Sequence, residues 1–413
     1  MRRAKYIAKK INSEGNHKKS SPAVKIATIG VALGVATMIL ALAVVIGFKN
    51  QVAEKAIGFA SHVRITGITD QLHTNTLPLA VDSSICNTLK ASPQVLSIGR
   101  CAEQSAVLKT NTDFSGIILK GLATDYDNTF FKDAIVKGSL PLLSDTATSN
   151  QILLSEVIAT KLQLNVGESI LCYFIKNEKV KVRKFNISGI YNTNFAEYDT
   201  YYAICDLKVI QSVNNWEDNQ YTALEIKLKE IADTEPFTNE LRYSIMGQTD
   251  AYGNSYFVES AFDINPQLFN WLDLLDMNVW IIIVLMSLVA AFTIISGVLI
   301  IILEKTAKIV TLKALGASNS FIRRTFVHLS SYLILKGVIW GNIIGLSLCA
   351  IQHYFGIFKL DATTYYISEV PIEINWWLLI LLNIGAILLL LLMVTIPTQI
   401  ISKIKPAETI RFE

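Results

Sequence analysis

The side chains able to do covalent or metal chemistry are scattered along this chain. The five histidines, His17, His62, His73, His328 and His353, form no HExxH or other close pair. No GxSxG turn would expose a serine nucleophile, and no GxxxxGK[ST] loop would cradle a phosphate. The five cysteines, Cys86, Cys101, Cys172, Cys205 and Cys349, make no CxxC pair. Their spacing predicts no disulfide connectivity; buried free thiols are the expectation, although Cys86, Cys101, Cys172 and Cys205 fall where a disulfide is chemically permitted. The chain reads as non-catalytic and as binding no metal or cofactor of its own.

Four long apolar runs dominate instead: Val24–Phe48, Met277–Leu303, Tyr332–Phe355 and Trp376–Ile401. At 1.5 Å rise per residue each can cross a hydrocarbon core about 30 Å thick, which makes the chain an integral membrane protein in a 1 + 3 arrangement. Lys/Arg bias sets its orientation. The first 25 residues hold Arg2, Arg3, Lys5, Lys9, Lys10, Lys18, Lys19 and Lys25 against Glu14, and the segment after the second run holds Lys305, Lys308, Lys313, Arg323 and Arg324 against Glu304. Both are expected in the cytoplasm. The approach to the second run, with Glu259, Asp263, Asp273 and Asp276, and the third-to-fourth connection, with Asp361, Glu369 and Glu373 against Lys359, are expected outside. The signs alternate as four crossings require and put both termini in the cytoplasm. The first run exceeds a signal-peptide core and no small-x-small site follows it, so an uncleaved anchor is expected. The net charge of +3 gives no footprint for nucleic acid.

Glycine spacing on two of the runs predicts packing faces. Gly30 and Gly34 on the first, and Gly337, Gly341 and Gly345 on the third, recur every four residues, which lets helix backbones approach closely in lipid. Between the second and third runs, Glu304–Ser318 reads as an amphipathic helix with Ile309, Leu312 and Leu315 on one side, ended by Gly316. Ser318 or Ser320 then caps the next helix. Such an element suits docking into a partner groove or lying at the lipid interface with its lysines in the headgroups. Glu304 is expected to pair with Lys308 one turn on. Lys336 lies deep in the bilayer if the third span begins near Thr325, or snorkels to the inner headgroups if it begins near Tyr332.

About 230 residues, 49–276, separate the first and second runs, enough to bury a core of their own. The runs Val63–Ile68, Val95–Ile98, Gly116–Lys120, Ile170–Ile175, Val180–Ile190 and Tyr221–Leu228 read as strands; Ser155–Leu164 and Glu235–Met246 read as helices. An α+β extracytoplasmic domain is expected, in two subdomains with an inserted part over about 138–212. The boundaries are marked by Gly138-Ser-Leu-Pro141 with the polar stretch Ser144–Asn150, and by Ser212–Asn219. The remaining segments follow: a basic N-terminal segment 1–23, a coupling segment 304–324, a third span within 325–356, an outer loop 357–375 and a tail 402–413. Lys49–Phe59 extends the first run outward, and Phe262–Met277 leads into the second.

At these residues the chain resembles the FtsX-like/MacB-like permeases of ATP-binding cassette (ABC) systems. Glu304–Ser318, closing on Leu312-Lys-Ala-Leu-Gly-Ala-Ser318, is similar to the E-x-x-x-E-I-x-x-L-R-A-L-G-A-S signature, with Lys308 at the second acidic position and Lys313 for the arginine. Lys405-Pro-Ala-Glu-Thr-Ile-Arg411-Phe-Glu413 is similar to the terminal P-x-E-A-L-R-x-E. Tyr6-Ile-Ala-Lys-Lys10, Gly30-Val-Ala-Leu-Gly34, Ile46-Gly-Phe48 and His62-Val-Arg-Ile65 together resemble the lipoprotein-releasing (Lol-type, LolC/LolE) branch. His328 stands near the position where a Gln or Glu is usual.

The resemblance implies a four-helix α-helical membrane protein with a MacB-like domain between its first and second helices, and an FtsX-like permease domain over 277–400. It implies a mechanotransmission subunit with no catalytic role, working with a separate cytoplasmic ABC ATPase (LolD-like) that binds the ATP and Mg. Coupling to that ATPase would fall to Glu304, Lys308, Leu312, Lys313, Ala314, Leu315, Gly316 and Ala317. A second copy or a paralogue would pair through the first spans, and Gly30, Gly34, Gly337, Gly341 and Gly345 would serve packing or dimerisation. The substrate would be a lipoprotein taken from the bacterial inner membrane, held between the first and second spans and handed to a periplasmic carrier. Competing readings are an antimicrobial-peptide or macrolide exporter permease, and an FtsX-type regulator of a cell-wall hydrolase, which usually carries a smaller outer domain. MacB-type exporters normally carry a nucleotide-binding domain ahead of the first span, where 23 residues stand here.

Overall fold

A computed structural model of the chain describes residues 22–67, 78–176 and 179–399. The basic N-terminal segment, Tyr6–Lys10, His17, His73 and the tail with Lys405–Glu413 lie outside the described residues. Two compact units emerge. One takes in 51–270 together with 360–368; the other takes in the described residues before 51, from 271 to 359 and from 369 onward.

The helical unit is built from the apolar runs. Helix α1 is Pro22–Ala60 and its residues up to Asn50 belong here. After the sheet-bearing segment come α9 (Pro266–Glu304), α10 (Thr306–Ala314), α11 (Asn319–Phe355) and α13 (Trp376–Thr398). Four of these, α1, α9, α11 and α13, have the length and hydropathy to cross a membrane. Local chemistry fixes their ends. Pro266 opens α9, where its missing N–H costs nothing. Ser318 caps α11 by accepting from Phe321 N, and Asn375 caps α13 by accepting from Trp377 N and Leu378 N. The core of this unit interleaves Val31, Val35 and Ile39 of α1, Ile294, Val298 and Ile302 of α9, Leu333, Ile334 and Val338 of α11, and Leu390 and Val394 of α13. Asn342 and Asn383 exchange amide hydrogen bonds of 2.7 and 3.0 Å across α11 and α13, satisfying both polar groups where water is scarce.

The sheet-bearing unit follows the remainder of α1. Its strands are β1 (Val63–Gly67), β2 (Val95–Lys109), β3 (Phe114–Leu122), β4 (Ile135–Gly138), β5 (Gln151–Ser155), β6 (Ser169–Lys176), β7 (Lys179–Tyr191), β8 (Tyr202–Asp206), β9 (Ala223–Leu228) and β10 (Tyr256–Ser260). They form one sheet in the order β10-β1-β9-β2-β3-β8-β5-β7-β4, with β6 paired to β2 and β7. It is mixed: β3 with β8 and β5 with β7 run parallel, the other pairs antiparallel. Residues 138–212, read above as an inserted part, supply β5 to β8 to this same sheet. Helices α2 (Ser83–Ala91), α3 (Thr129–Asp133), α4 (Glu156–Leu162), α5 (Ala196–Tyr201), α6 (Leu207–Asn214), α7 (Thr234–Ser244) and α8 (Ala261–Ile264) accompany it, and α12 (Ala362–Tyr365) lies in the connection between α11 and α13. Asp82, Ser155 and Asp206 cap α2, α4 and α6 through their side chains. One apolar core joins Ile65, Leu108, Leu119, Leu154, Phe185, Ile226 and Phe237.

Candidate functional site

The helical unit carries an apolar groove of about 780 Å³ walled by α1, α9 and α13. From α9 it takes Asp276, Trp280, Ile283, Ser287 and Ala291, a spacing of three and four residues that lines one face of a helix. Met38, Leu42 and Ile46 of α1 and Leu381, Gly385, Leu388 and Met393 of α13 complete it. Trp280, Val284, Leu288, Leu381 and Leu388 are all exposed. An opening lined by exposed bulky apolar side chains between membrane helices has the right chemistry for hydrocarbon. The charged group in its wall is Asp276, whose carboxylate binds Lys49 Nζ at 2.5 Å, with Asp273 accepting from the same ammonium at 3.2 Å. The volume lies in the range of pockets that enclose a drug-sized ligand. The resemblance implied a substrate held between the first and second spans and named no residue for it; that α13 would also wall a groove beside those helices was not expected, because an apolar run without a polar face does not show which side it turns to a neighbour.

The proposed coupling residues form a separate element. Glu304 ends α9, Lys305 breaks the helix, and α10 carries Lys308 to Ala314. Gly316, at φ +87°, closes α10 in a Schellman motif: Ala317 N donates to Leu312 O at 2.9 Å and Gly316 N to Lys313 O at 3.0 Å. The expected apolar side divides. Ile309 and Val310 are buried in the helical unit, Leu312 and Ala317 are half-buried against the same core, and Leu315 is 80% exposed. The reason is angular. Steps of three residues fall about 60° short of a full turn, so Leu315 stands about 120° from Ile309. Ala314 is exposed beside it.

The glycines pack within the chain. A Cβ on Gly30 would meet Thr293 Cγ2 at 2.3 Å, and one on Gly34 would meet Ala290 Cβ at 3.3 Å, both on α9. A Cβ on Gly337, Gly341 or Gly345 would stand 2.8, 2.7 or 3.2 Å from the Cβ of Val31, Val35 or Ile39 of α1. The ladder on α11 therefore seats α1 residue by residue. His328 and Lys336 are exposed on α11. All five cysteines are free thiols, four buried and Cys86 half-buried.

The sheet-bearing unit holds a buried ionic cluster that the sequence did not reveal. Lys120 Nζ donates to Glu225 at 2.9 and 3.1 Å and to the carbonyl of Phe59 at 2.7 Å, near the end of α1. Glu225 also accepts from Tyr126 Oη at 2.5 Å and from Ser61 Oγ at 3.2 Å. Burial pushes the Glu225 carboxyl up, but the charges of Lys120 and Arg64 and the hydrogen bonds outweigh it and hold the group below its ordinary value. Burial likewise opposes the charge on Lys120, and Glu225 restores it. His62 accepts from Leu228 N through Nδ1; burial, and then the charge of Lys227, push its imidazole down to about 4. No group of three or more His, Cys, Asp or Glu side chains suited to a metal occurs among the described residues.

A unit of four helices long and apolar enough to cross a membrane, together with a sheet-bearing unit, is the make-up of a membrane permease that carries a folded domain. Residues 26–243 match the MacB-like periplasmic core domain family and residues 280–406 the FtsX-like permease C-terminal family. The first match alone takes in more than half of the chain, which belongs to the FtsX-like/MacB-like permeases of ABC transporters. It is similar to the lipoprotein-releasing system transmembrane protein LolC of Xylella fastidiosa, 21% identical over 93% of this chain and 92% of that one. It is also similar to the lipoprotein-releasing system transmembrane protein LolE of Haemophilus influenzae, 22% identical over 94% and 93%. Among solved structures, the periplasmic region of MacB from Actinobacillus actinomycetemcomitans is 15% identical, covers 52% of this chain and 96% of that one, and has a TM-score of 0.34.

Proposed function

We propose that this chain is the membrane subunit of an ABC transporter that extracts lipid-anchored proteins from the bacterial inner membrane and passes them to a periplasmic carrier. The observation that carries this reading is likeness to lipoprotein-releasing relatives across nearly the full length of both chains, soluble domain included. The groove supports it, since acyl chains removed from a bilayer need an apolar surface open to lipid. At about 0.8 kcal/mol per buried CH₂, a multiply acylated anchor costs tens of kcal/mol to extract, so the step needs an external drive. In this reading an ATPase bound at α10 supplies it, gripping the exposed Leu315 and Ala314, with ATP and Mg on that partner and a second permease copy or a paralogue completing the pair. Both termini and α10 face the cytoplasm, and the sheet-bearing domain faces the periplasm. Helices α1 and α9, at 39 residues each, run roughly 58 Å, about twice a hydrocarbon core, so ATPase motion reaches the periplasmic domain through continuous helix.

Depletion of the protein followed by membrane fractionation tests this. Lipoproteins destined for the outer membrane should accumulate in the inner membrane. Unchanged sorting with new sensitivity to a peptide antibiotic would favour an exporter, and unchanged sorting with a cell-separation defect would favour a hydrolase regulator.

A further inference from the structure

Three pieces of chain that run on into the long apolar helices belong to the sheet-bearing unit: the end of α1, the start of α9, and the connection 360–368 between α11 and α13. Side chains from all three meet at α5. Phe59 of α1 stacks on Tyr198 with centroids 4.0 Å apart and planes 7° from parallel. Tyr198 stacks on Phe195 at 4.9 Å, and Phe195 on Tyr366 of the connection at 4.5 Å. The hydroxyl of Tyr198 accepts a 2.7 Å hydrogen bond from Asn265, the residue before α9. Lys55 of α1 donates to the carbonyl of Tyr366 at 2.8 Å, and the Tyr366 hydroxyl donates to Glu197 at 3.4 Å. Phe59 and Phe195 are 1% exposed. Tyr366 holds φ +63°, a conformation that a bulky residue keeps only when its surroundings over-determine it.

We infer that the column Phe59–Tyr198–Phe195–Tyr366, with Asn265 bonded to Tyr198, is a joint that ties the three connecting segments into one mechanical body. Stacked rings resist sliding and add to simple burial. Held together, the segments transmit a displacement of any one of them to the other two. Phe195 and Tyr198 thereby act as positioning residues, with no contact to substrate required. That this motion serves lipoprotein release rests on the function proposed above; the joint itself does not.

Hydrogen exchange on the full chain in lipid nanodiscs tests the joint without any partner. Phe195→Ala should raise exchange by about tenfold or more at 360–368, at 55–60 and at 261–265 together, while amides of β3 and β9 stay protected and report an intact fold. Tyr198→Phe keeps the column and should raise exchange at 261–265 alone. If Phe195→Ala does not fold, Tyr366→Ala, at a half-buried position, should still raise exchange at 55–60. A rise confined to 193–201 or to the mutated segment would overturn the joint. In proteoliposomes with the partner ATPase, Tyr366→Ala should keep ATP hydrolysis but lose severalfold in lipoprotein released per ATP, and Tyr366→Phe should not. Unchanged release per ATP alongside loosened exchange would overturn the transmitting role. Absence of release by the wild type would overturn the lipoprotein reading alone, with exchange still deciding the joint.

Discussion

At the residue scale the decisive chemistry is burial of charge. Lys120 and Glu225 are both within 2% of full burial, so each depends on the other. Lys120→Met should cost about 3–5 kcal/mol because it strands a buried carboxylate, whereas adding Glu225→Leu should recover part of that loss. Thermal unfolding of the full chain in detergent measures both, and simple addition of the two single losses would contradict the coupling. His62 gives a pH signature. Its folded value near 4, against 6.5 unfolded, means that the unfolded chain takes up the proton first as pH falls. Stability is therefore complete above about pH 6.5 and declines through the window down to about 4, by about 3 kcal/mol at its floor. His62→Gln should flatten that decline; an unchanged pH profile would contradict it. None of this was legible beforehand. Lys120 sits at the end of an apolar run where a charge reads as a strand's solvent face, and only the pairing of β2, β3 and β9 brings it under Glu225.

At the element scale, glycine spacing was the readable signal, because a small residue every fourth position has few other uses in an apolar helix. What spacing could not convey was the partner. The ladder faces α1 of the same chain, and Gly30 and Gly34 face α9. Gly341→Ala places a methyl 2.7 Å from Val35 Cβ and 2.8 Å from the Ala32 carbonyl, and should cost about 1–3 kcal/mol. Gly385→Ala, with nothing within 4 Å, should leave the melting temperature unchanged and serves as the control. Helix α10 was likewise legible through its Gly316 stop, yet its outward face was not, since Ile309 turns into the core. Leu315→Asp should abolish co-purification with the ATPase without destabilising the chain, while Leu312→Asp should also lower its melting temperature. ATPase retention by Leu315→Asp would remove this helix from the coupling surface.

At the scale of the whole molecule, the division into four long apolar helices and a sheet-bearing unit was plain from hydropathy. The sheet order was not, because β3 pairs with β8 and β5 with β7 across long intervening segments that local pattern cannot join. Orientation rests on charge bias. In a background lacking native cysteines, Asp361→Cys should react with an impermeant thiol reagent in intact cells and Ala314→Cys should react only after permeabilisation; the reverse pattern would invert the molecule. The central claim is ATP-driven transfer of a lipid anchor out of the bilayer. Its most direct measurement places the chain and its ATPase in proteoliposomes bearing a lipoprotein of native acylation, adds a soluble carrier, and follows the lipoprotein from membrane to supernatant. The account predicts transfer that requires both ATP and carrier, with every released molecule carrier-bound and transfer reduced by filling the groove with Gly385→Trp. Release without ATP, or no release with all components present and hydrolysis under way, would contradict it.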